Sequence, residues 1–457
     1  MTNDESRFAR NDEFKLPAIS KGNPYSSFVI HHSSFIIRHS SFVILKVIRH
    51  DIKVIKTLVM QSSQIPEEFK DIRPYADDEV RGAIHSLLHD RHFGRLLKSF
   101  VPFLPLSWSR GLLRLASIGV NTTLDFQMRF MKPVVRYILH RYSTGHTFAY
   151  EGIKPSEERY TFVSNHRDIV LDSAILDLML HDAKFPTTVE IAIGDNLLIY
   201  PWIRTLVRLN KAFVVQRSLS MREKLRASQT MSRYMHFAVN EKQENIWIAQ
   251  REGRAKDSDD RTQEAVLKMM TLGGEGSVVE RLRHMHIVPL SLSYEFDPCD
   301  YLKAIEFQMK RDVKGFKKSK QDDLDNMKTG IFGRKGHVHF AAAPCLDEWL
   351  GTLDAALDKT EVFSLVAKHI DREIHSSYRL YPCNFIAADL LQGNRAHSEH
   401  YDEAAERSFN DYLAQRLAMA AKDLTDRGLQ PDDAFLRERL LTMYANPLFN
   451  YEKAKQD

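Results

Sequence analysis

The chain of 457 residues is 43% hydrophobic and 27% charged, proportions of an ordinary folded protein with room for one large domain with helical additions or for two domains. Its net charge of +4 is carried wholly by residues 1–59, where nine Lys and Arg face five acids, so the rest is near neutral and nucleic acid is not an expected partner. Three cysteines, Cys299, Cys345 and Cys383, are odd in number and widely spaced, which argues against a disulfide framework or a zinc site and suits a reducing compartment.

Residues 26–46 repeat a seven-residue unit three times, beginning Ser26-Ser-Phe-Val-Ile, Ser33-Ser-Phe-Ile-Ile and Ser40-Ser-Phe-Val-Ile. The apolar residues are consecutive rather than at coiled-coil positions, and charges and histidines interrupt any signal-peptide core. Such near-identity is what a short repeated DNA element yields when it is read through as protein. Residues 1–59 therefore read as a non-native or disordered extension, with Met60 as the expected start of ordinary sequence. Residues 60–147 read as a helical region. Within it Leu96–Ser117 mixes Phe100, Phe103, Leu104, Leu106 and Trp108 with Lys98, Arg110 and Arg114, a composition suited to a helix pair in a membrane interface and equally to a core-facing helix. No stretch has the roughly 18 apolar residues of a spanning helix.

Between residues 148 and 345 the pattern alternates. Strands are expected at Thr161–Ser164, Val189–Ile193, Ala212–Val215, Asn245–Ala249 and Ile287–Ser293, with helices after 172, from Pro201, from Ser220 and near Thr262–Thr271. This predicts an α/β fold whose mostly parallel sheet carries helices on both faces, with ligands at the carboxyl ends of the strands. Residues 346–457 return to charged, helical sequence.

The chemistry is expected where those strands end. Tyr160-Thr-Phe-Val-Ser-Asn165 delivers His166 to a strand-to-helix turn, with Asp168 and Asp172 beside it. An imidazole held by a carboxylate on one nitrogen can take a proton from a hydroxyl with the other, which is chemistry for acyl transfer to an alcohol. Arg217 closes the next strand block, and Arg251, Glu252, Gly253, Arg254 and Lys256 follow Asn245–Ala249. Each basic residue alone reads as a surface charge. At successive strand ends they read as a site for a phosphate-bearing acceptor, held by charge-assisted contacts, with Gly253 letting backbone approach the ligand.

Taken in order, these segments resemble the phospholipid/glycerol acyltransferase superfamily over about residues 148–345. The carriers are Asn165-His166 with a downstream aspartate, Phe213-Val-Val-Gln-Arg217, Glu252-Gly253 followed by basic residues, and the proline strand Ile287-Val-Pro289. Ile191-Ala-Ile-Gly-Asp-Asn-Leu197, His166-Arg167 and Ser293-Tyr-Glu295 are more similar to its glycerol-3-phosphate branch than to its lysophosphatidate branch. The resemblance implies His166 as catalytic base, an orienting aspartate, and Arg217, Glu252, Gly253, Arg254 and Lys256 in substrate binding. It also implies an acyl-CoA or acyl-carrier-protein donor, a glycerol-3-phosphate or lysophospholipid acceptor, no cofactor or metal, and peripheral attachment to the cytoplasmic face of a membrane.

The chain departs from the family pattern in two places. The family's aspartate follows its histidine after four intervening residues; here Asp172 follows after five and Asp168 after one. The apolar helix behind Asp172 favours that residue, with Asp168 as the alternative. In the second block Asn210-Lys-Ala stands where the family has glycine. A metal-hydrolase reading would join His166, Asp168 and Asp172 to the pairs His284/His286 and His337/His339, each placed on one face of a strand. An inactive lipid-binding or membrane-scaffold protein on the same fold is the non-enzymatic alternative. The His166-Arg-Asp168 triplet also occurs in kinases, but no phosphate loop accompanies it.

Overall fold

The computed structural model describes residues 65–456 apart from 101–102, 156–157 and 217–219. The serine-rich repeat, the start at Met60 and Arg217 lie outside the described residues. Strands β1 (Ser143–Ala149), β2 (Thr161–Ser164), β3 (Val189–Gly194), β4 (Ala212–Val215), β5 (Asn245–Ala249), β6 (Ile287–Tyr294) and β7 (Gly336–Ala342) form one sheet in the order β1-β7-β6-β2-β5-β3-β4. The five from β6 to β4 are mutually parallel, while β7 is antiparallel to β6 and parallel to β1. The mostly parallel α/β sheet is therefore present, with two reversed strands at one edge. β1 and β7 escape the apolar-run criterion because Ser143-Thr-Gly-His-Thr and Gly336-His-Val-His interleave polar residues on a half-covered edge.

Alternation of side chains splits the core into two layers. Phe162, Trp247, Val288, Leu290, Val338 and Phe340 point to one face, where α4 (Lys132–Tyr142) and α5 (Leu171–Asp182) cover them. Val163, Ile246, Ile248 and Ile287 point to the other, under α7 (Met221–Asn240), α8 (Glu264–Met270), α9 (Val278–Arg283) and α13 (Lys359–Ser376). Between α5 and α7, α6 (Pro201–Leu209) begins at a proline whose missing N–H costs nothing in a first turn. Pro289 sits inside β6 for a related reason. Its carbonyl accepts from Ala343 N at 2.9 Å, just beyond the last β6–β7 pair, Leu290 with Ala342, so the absent donor falls where that ladder has ended.

The carboxyl-terminal helices α14 (Pro382–Gln392), α15 (Glu403–Asp426) and α16 (Asp433–Gln456) pack with α10 (Asp300–Asp312) around Phe296, Tyr412 and Tyr444. A polar knot centred on fully buried Asp300 ties them together: its carboxylate accepts from Tyr412 and Tyr444 at 2.7 Å each and pairs with Arg416. The remaining helices, α11 (Lys320–Phe332) and α12 (Asp347–Leu350), bracket β7.

At the opposite end of the chain, α1 (Asp77–His89), α2 (Arg91–Phe100) and α3 (Leu106–Ala116) precede the sheet. α1 buries Val80, Ile84, Leu87 and Leu88 against Phe126 and Leu209. α3 does the reverse. Trp108, Leu112 and Leu115, one helical stripe, are 68%, 56% and 64% exposed, and Phe103 and Ile118 at its two ends are 80% and 66% exposed. Among the described residues no helix is long and apolar enough to cross a membrane.

A short helix, Thr123–Phe126, and a π turn, Gln127–Met131, lead into α4. The turn aims buried Gln127 at Asp177 of α5, whose Oδ2 accepts from Gln127 Nε2 and whose Oδ1 accepts from Val189 N, both at 3.0 Å. Burial pushes the Asp177 carboxyl up to about 7. An unfolded chain loses this proton near the ordinary carboxylate value, so the folded state binds the extra proton between about pH 4 and pH 7. Stability therefore falls as pH rises through that window and levels off above it. Asp177→Asn should gain on the wild type in denaturant midpoint between pH 5 and pH 8, by an amount on the order of a few kcal/mol. A difference independent of pH would contradict this.

Candidate active site

β2 ends at Ser164, and the next residue extends its pairing through a side chain. Asn165 is fully buried and mimics a strand peptide: its Nδ2 donates to Leu292 O at 2.9 Å and its Oδ1 accepts from Leu292 N at 2.8 Å. The chain then turns, leaving His166 at the carboxyl end of the central strand. Leu171 starts α5, and the first turn of that helix carries Asp172 back beneath the imidazole.

Asp172 is fully buried and four donors meet its two oxygens. Oδ2 accepts from His166 Nδ1 at 2.8 Å, from Arg167 N at 2.7 Å and from Asp168 N at 3.0 Å; Oδ1 accepts from Tyr294 OH at 3.0 Å. A carboxylate facing Nδ1 keeps the proton there, so Nε2 presents its lone pair. The His166 side chain is 14% exposed, and Trp247 meets its ring edge-to-face with centroids 5.5 Å apart. Trp247 is itself pinned by Nε1 donating to Ser164 Oγ at 3.0 Å.

Asp168 does different work. Its Oδ1 accepts from Val170 N and Leu171 N at 2.8 Å each, capping α5. Burial, reinforced by the neighbouring charge of Asp172, raises its carboxyl above the usual range. α11 closes over it so tightly that a Cβ added at Gly330 would lie 2.1 Å from Asp168 Oδ2.

The basic residues of the third block divide between surface and interior. Arg254 is buried, donating from Nη1 to Arg167 O at 3.3 Å and from Nη2 to Asn326 Oδ1 at 3.0 Å. It thus braces the His166 turn from below. Lys256 Nζ lies 3.3 Å from Glu306 Oε2, and burial lowers its ammonium to about 8. Glu252 is exposed and Arg251 half-buried. Gly253 has φ +68° with no atom near a notional Cβ, so its glycine meets a conformational requirement, not a steric one. Arg167, also buried, reaches to 3.8 Å from Asp260 Oδ2 and lies over the Tyr378 ring.

The histidine pairs fall elsewhere. His337 and His339 do share a face of β7, bonded through Nδ1 to Tyr381 OH at 2.9 Å and to Thr147 Oγ1 at 2.7 Å. The expectation that His284 and His286 share a strand is corrected: His284 caps the end of α9, and His286 precedes β6 with a positive φ. Among the described residues, no group of three or more metal-capable side chains includes His166. Sequence reasoning overlooked Asn165, Trp247 and Tyr294 as supports of the site. Tyr294 had a signal, since it ends the proline strand inside the quoted Ser293-Tyr-Glu295.

Comparison with known proteins follows the same segment. Residues 147–293 match the Acyltransferase family. No curated protein matches the chain. Among solved structures, the 1-acyl-sn-glycerophosphate (LPA) acyltransferase PlsC from Thermotoga maritima is similar at 12% identity and a TM-score of 0.33, over 65% of this chain and 96% of that one. That likeness is too distant to carry an argument about substrate. The matched segment holds every element of the His166 turn, from β2 through α5 into β6, so these residues form an acyltransferase domain.

Proposed function

We propose that the protein moves a fatty acyl group from acyl-CoA or acyl-carrier-protein to the hydroxyl of glycerol 3-phosphate or a lysophospholipid at a membrane surface. The observation that carries this reading is the 2.8 Å contact of His166 Nδ1 with Asp172, which leaves Nε2 as the basic nitrogen at a strand end. In this mechanism Nε2 takes the proton of the acceptor hydroxyl as its oxygen attacks the thioester carbonyl carbon. Asp172 holds the ring and offsets the imidazolium charge. The C–S bond then breaks, and the departing thiolate receives the proton from Nε2. The steps balance without a covalent acyl-enzyme, a metal or a further cofactor.

An acceptor phosphate needs cations near the hydroxyl. Arg217, by resemblance, and half-buried Arg251 are the direct contacts in this reading. Arg254 and Lys256, committed to Arg167, Asn326 and Glu306, contribute positive potential and rigidity from beneath. Glu252 and Gly253 shape the loop between them. The exposed stripe of α3 supports attachment to the membrane that supplies or receives the lipid.

The test is an acyl-transfer assay of purified protein, pairing each donor with glycerol 3-phosphate, lysophosphatidate and an acceptor lacking phosphate. Turnover should require a phosphorylated acceptor. Arg217→Ala should cut kcat/KM for that acceptor by roughly 10–150-fold, the worth of a charge-assisted hydrogen bond, and much less for the other. Absence of transfer with every pair would leave the inactive lipid-binding reading. Equal losses for both acceptor types would remove Arg217 from the phosphate site.

A further inference from the structure

At the end of the sheet opposite His166, three different metal-binding side chains converge. His286 lies immediately before β6, and Cys345 and Asp347 follow β7; one ligand atom from each lies within 4.8 Å of the other two. Both segments are fastened to the sheet, by Thr161 N donating to His286 O at 3.1 Å and Leu346 N donating to Ile287 O at 2.9 Å. His286 Nδ1 is 2.5 Å from Asp347 Oδ2, while Asp347 Oδ1 is buried without a hydrogen-bond partner. His286 is also held at φ +46°, a conformation that is costly for a non-glycine residue and persists only where the surroundings enforce it.

Imidazole, thiol and carboxylate together form a donor set for zinc, whose sites combine nitrogen, sulfur and oxygen ligands. Burial pushes the Cys345 thiol up to about 12, so it is a poor nucleophile by itself, and a bound cation would be needed to take its proton off. Exposed Glu158 acts electrostatically on both His286 and Cys345, adding negative charge at the same end.

We propose that His286, Cys345 and Asp347 bind a zinc ion through a ring nitrogen, Sγ and a carboxylate oxygen, with water completing the tetrahedron, and that this ion clamps the entrance of β6 to the exit of β7. Tetrahedral coordination at about 2.0–2.3 Å requires the His286–Asp347 pair to open by under about 1 Å, within side-chain movement. Binding releases the thiol proton. The site is separated from His166 by the length of β2, so its role is structural, independent of the acyl-transfer chemistry. Sequence spacing argued against zinc because Cys345 has no nearby cysteine; the ligands meet only because β6 and β7 are antiparallel neighbours, which brings the start of one beside the end of the other.

The experiment uses the full chain, stripped with a chelator and then titrated with Co²⁺ and with Zn²⁺. Cobalt should produce a thiolate-to-metal charge-transfer band, zinc should bind at one equivalent per chain by elemental analysis, and zinc should raise the thermal midpoint. Cys345→Ser should abolish the band. His286→Gln and Asp347→Asn should weaken zinc by more than the roughly 10–100-fold that follows loss of an outer partner, whereas His339→Gln should change nothing. Absence of the band in the wild-type protein, which requires no variant to fold, would overturn the proposal. So would a band or an equivalent of zinc that survives Cys345→Ser.

Discussion

His166→Ala is expected to lower kcat by at least ~10²–10⁴-fold, the worth of a positioned general base, with KM little changed. Neither neighbouring carboxylate stands in for it: Asp172 is fully buried beneath the ring, and Asp168 is spent on Val170 N and Leu171 N. The fold should survive, because Asp172 Oδ2 keeps two backbone donors, Arg167 N and Asp168 N. Asp172→Asn should approach the same loss. An amide can still accept from those donors, but it brings no charge to offset an imidazolium. Asp168→Asn should stay within about tenfold of wild type, since an amide oxygen can cap α5 equally well. Tyr294→Phe should fall between, lowering kcat without KM, because it frees one oxygen of Asp172 and leaves substrate contacts alone. Steady-state kinetics on the four variants decides the matter. Loss in Asp168→Asn with an active Asp172→Asn would reverse the roles given to the two aspartates.

Replacing Trp108, Leu112 and Leu115 together by serine is expected to release the protein from lipid vesicles while leaving its stability almost untouched. All three face solvent already, so folding gains little from them, and exposed substitutions usually stay within about 0.5 kcal/mol each. Inserted into an interface, each would contribute about 1 kcal/mol even at half burial, which over three residues is roughly 10²-fold in partitioning. Arg110 and Arg114 are positioned on the same helix, Arg110 donating to Asp90 O at 3.1 Å and Arg114 meeting His89 Nε2 at 3.2 Å. Vesicle co-sedimentation of wild type and triple variant reads the effect directly. Acylation of a vesicle-borne acceptor should fall with it, and acylation of a freely soluble acceptor should not. Equal sedimentation of both proteins would mean that this stripe serves something other than lipid.

What the sequence determined by itself was the central sheet and the residue at its mouth. The five parallel strands are short apolar runs bounded by turn residues, and burial on both faces demands such runs whatever their neighbours, so their limits were legible. The same logic made His166 visible, because a histidine that ends a buried run has to leave the core there. Tertiary structure decided what no local pattern encodes. β1 and β7 interleave polar residues, and only their place at a half-covered edge makes them strands. Which aspartate meets His166 depended on the path of the turn, where one extra residue is absorbed before α5 and Asp168 is diverted to cap the helix. Arg254 and Lys256 read as site residues by spacing, and only the packing of α10 and α11 beneath the turn supplied the partners, Asn326 and Glu306, that occupy them. The meeting of His286 with Cys345 and Asp347 was likewise beyond sequence reading, because side chains far apart in the chain become neighbours only once pairing aligns the start of β6 with the end of β7.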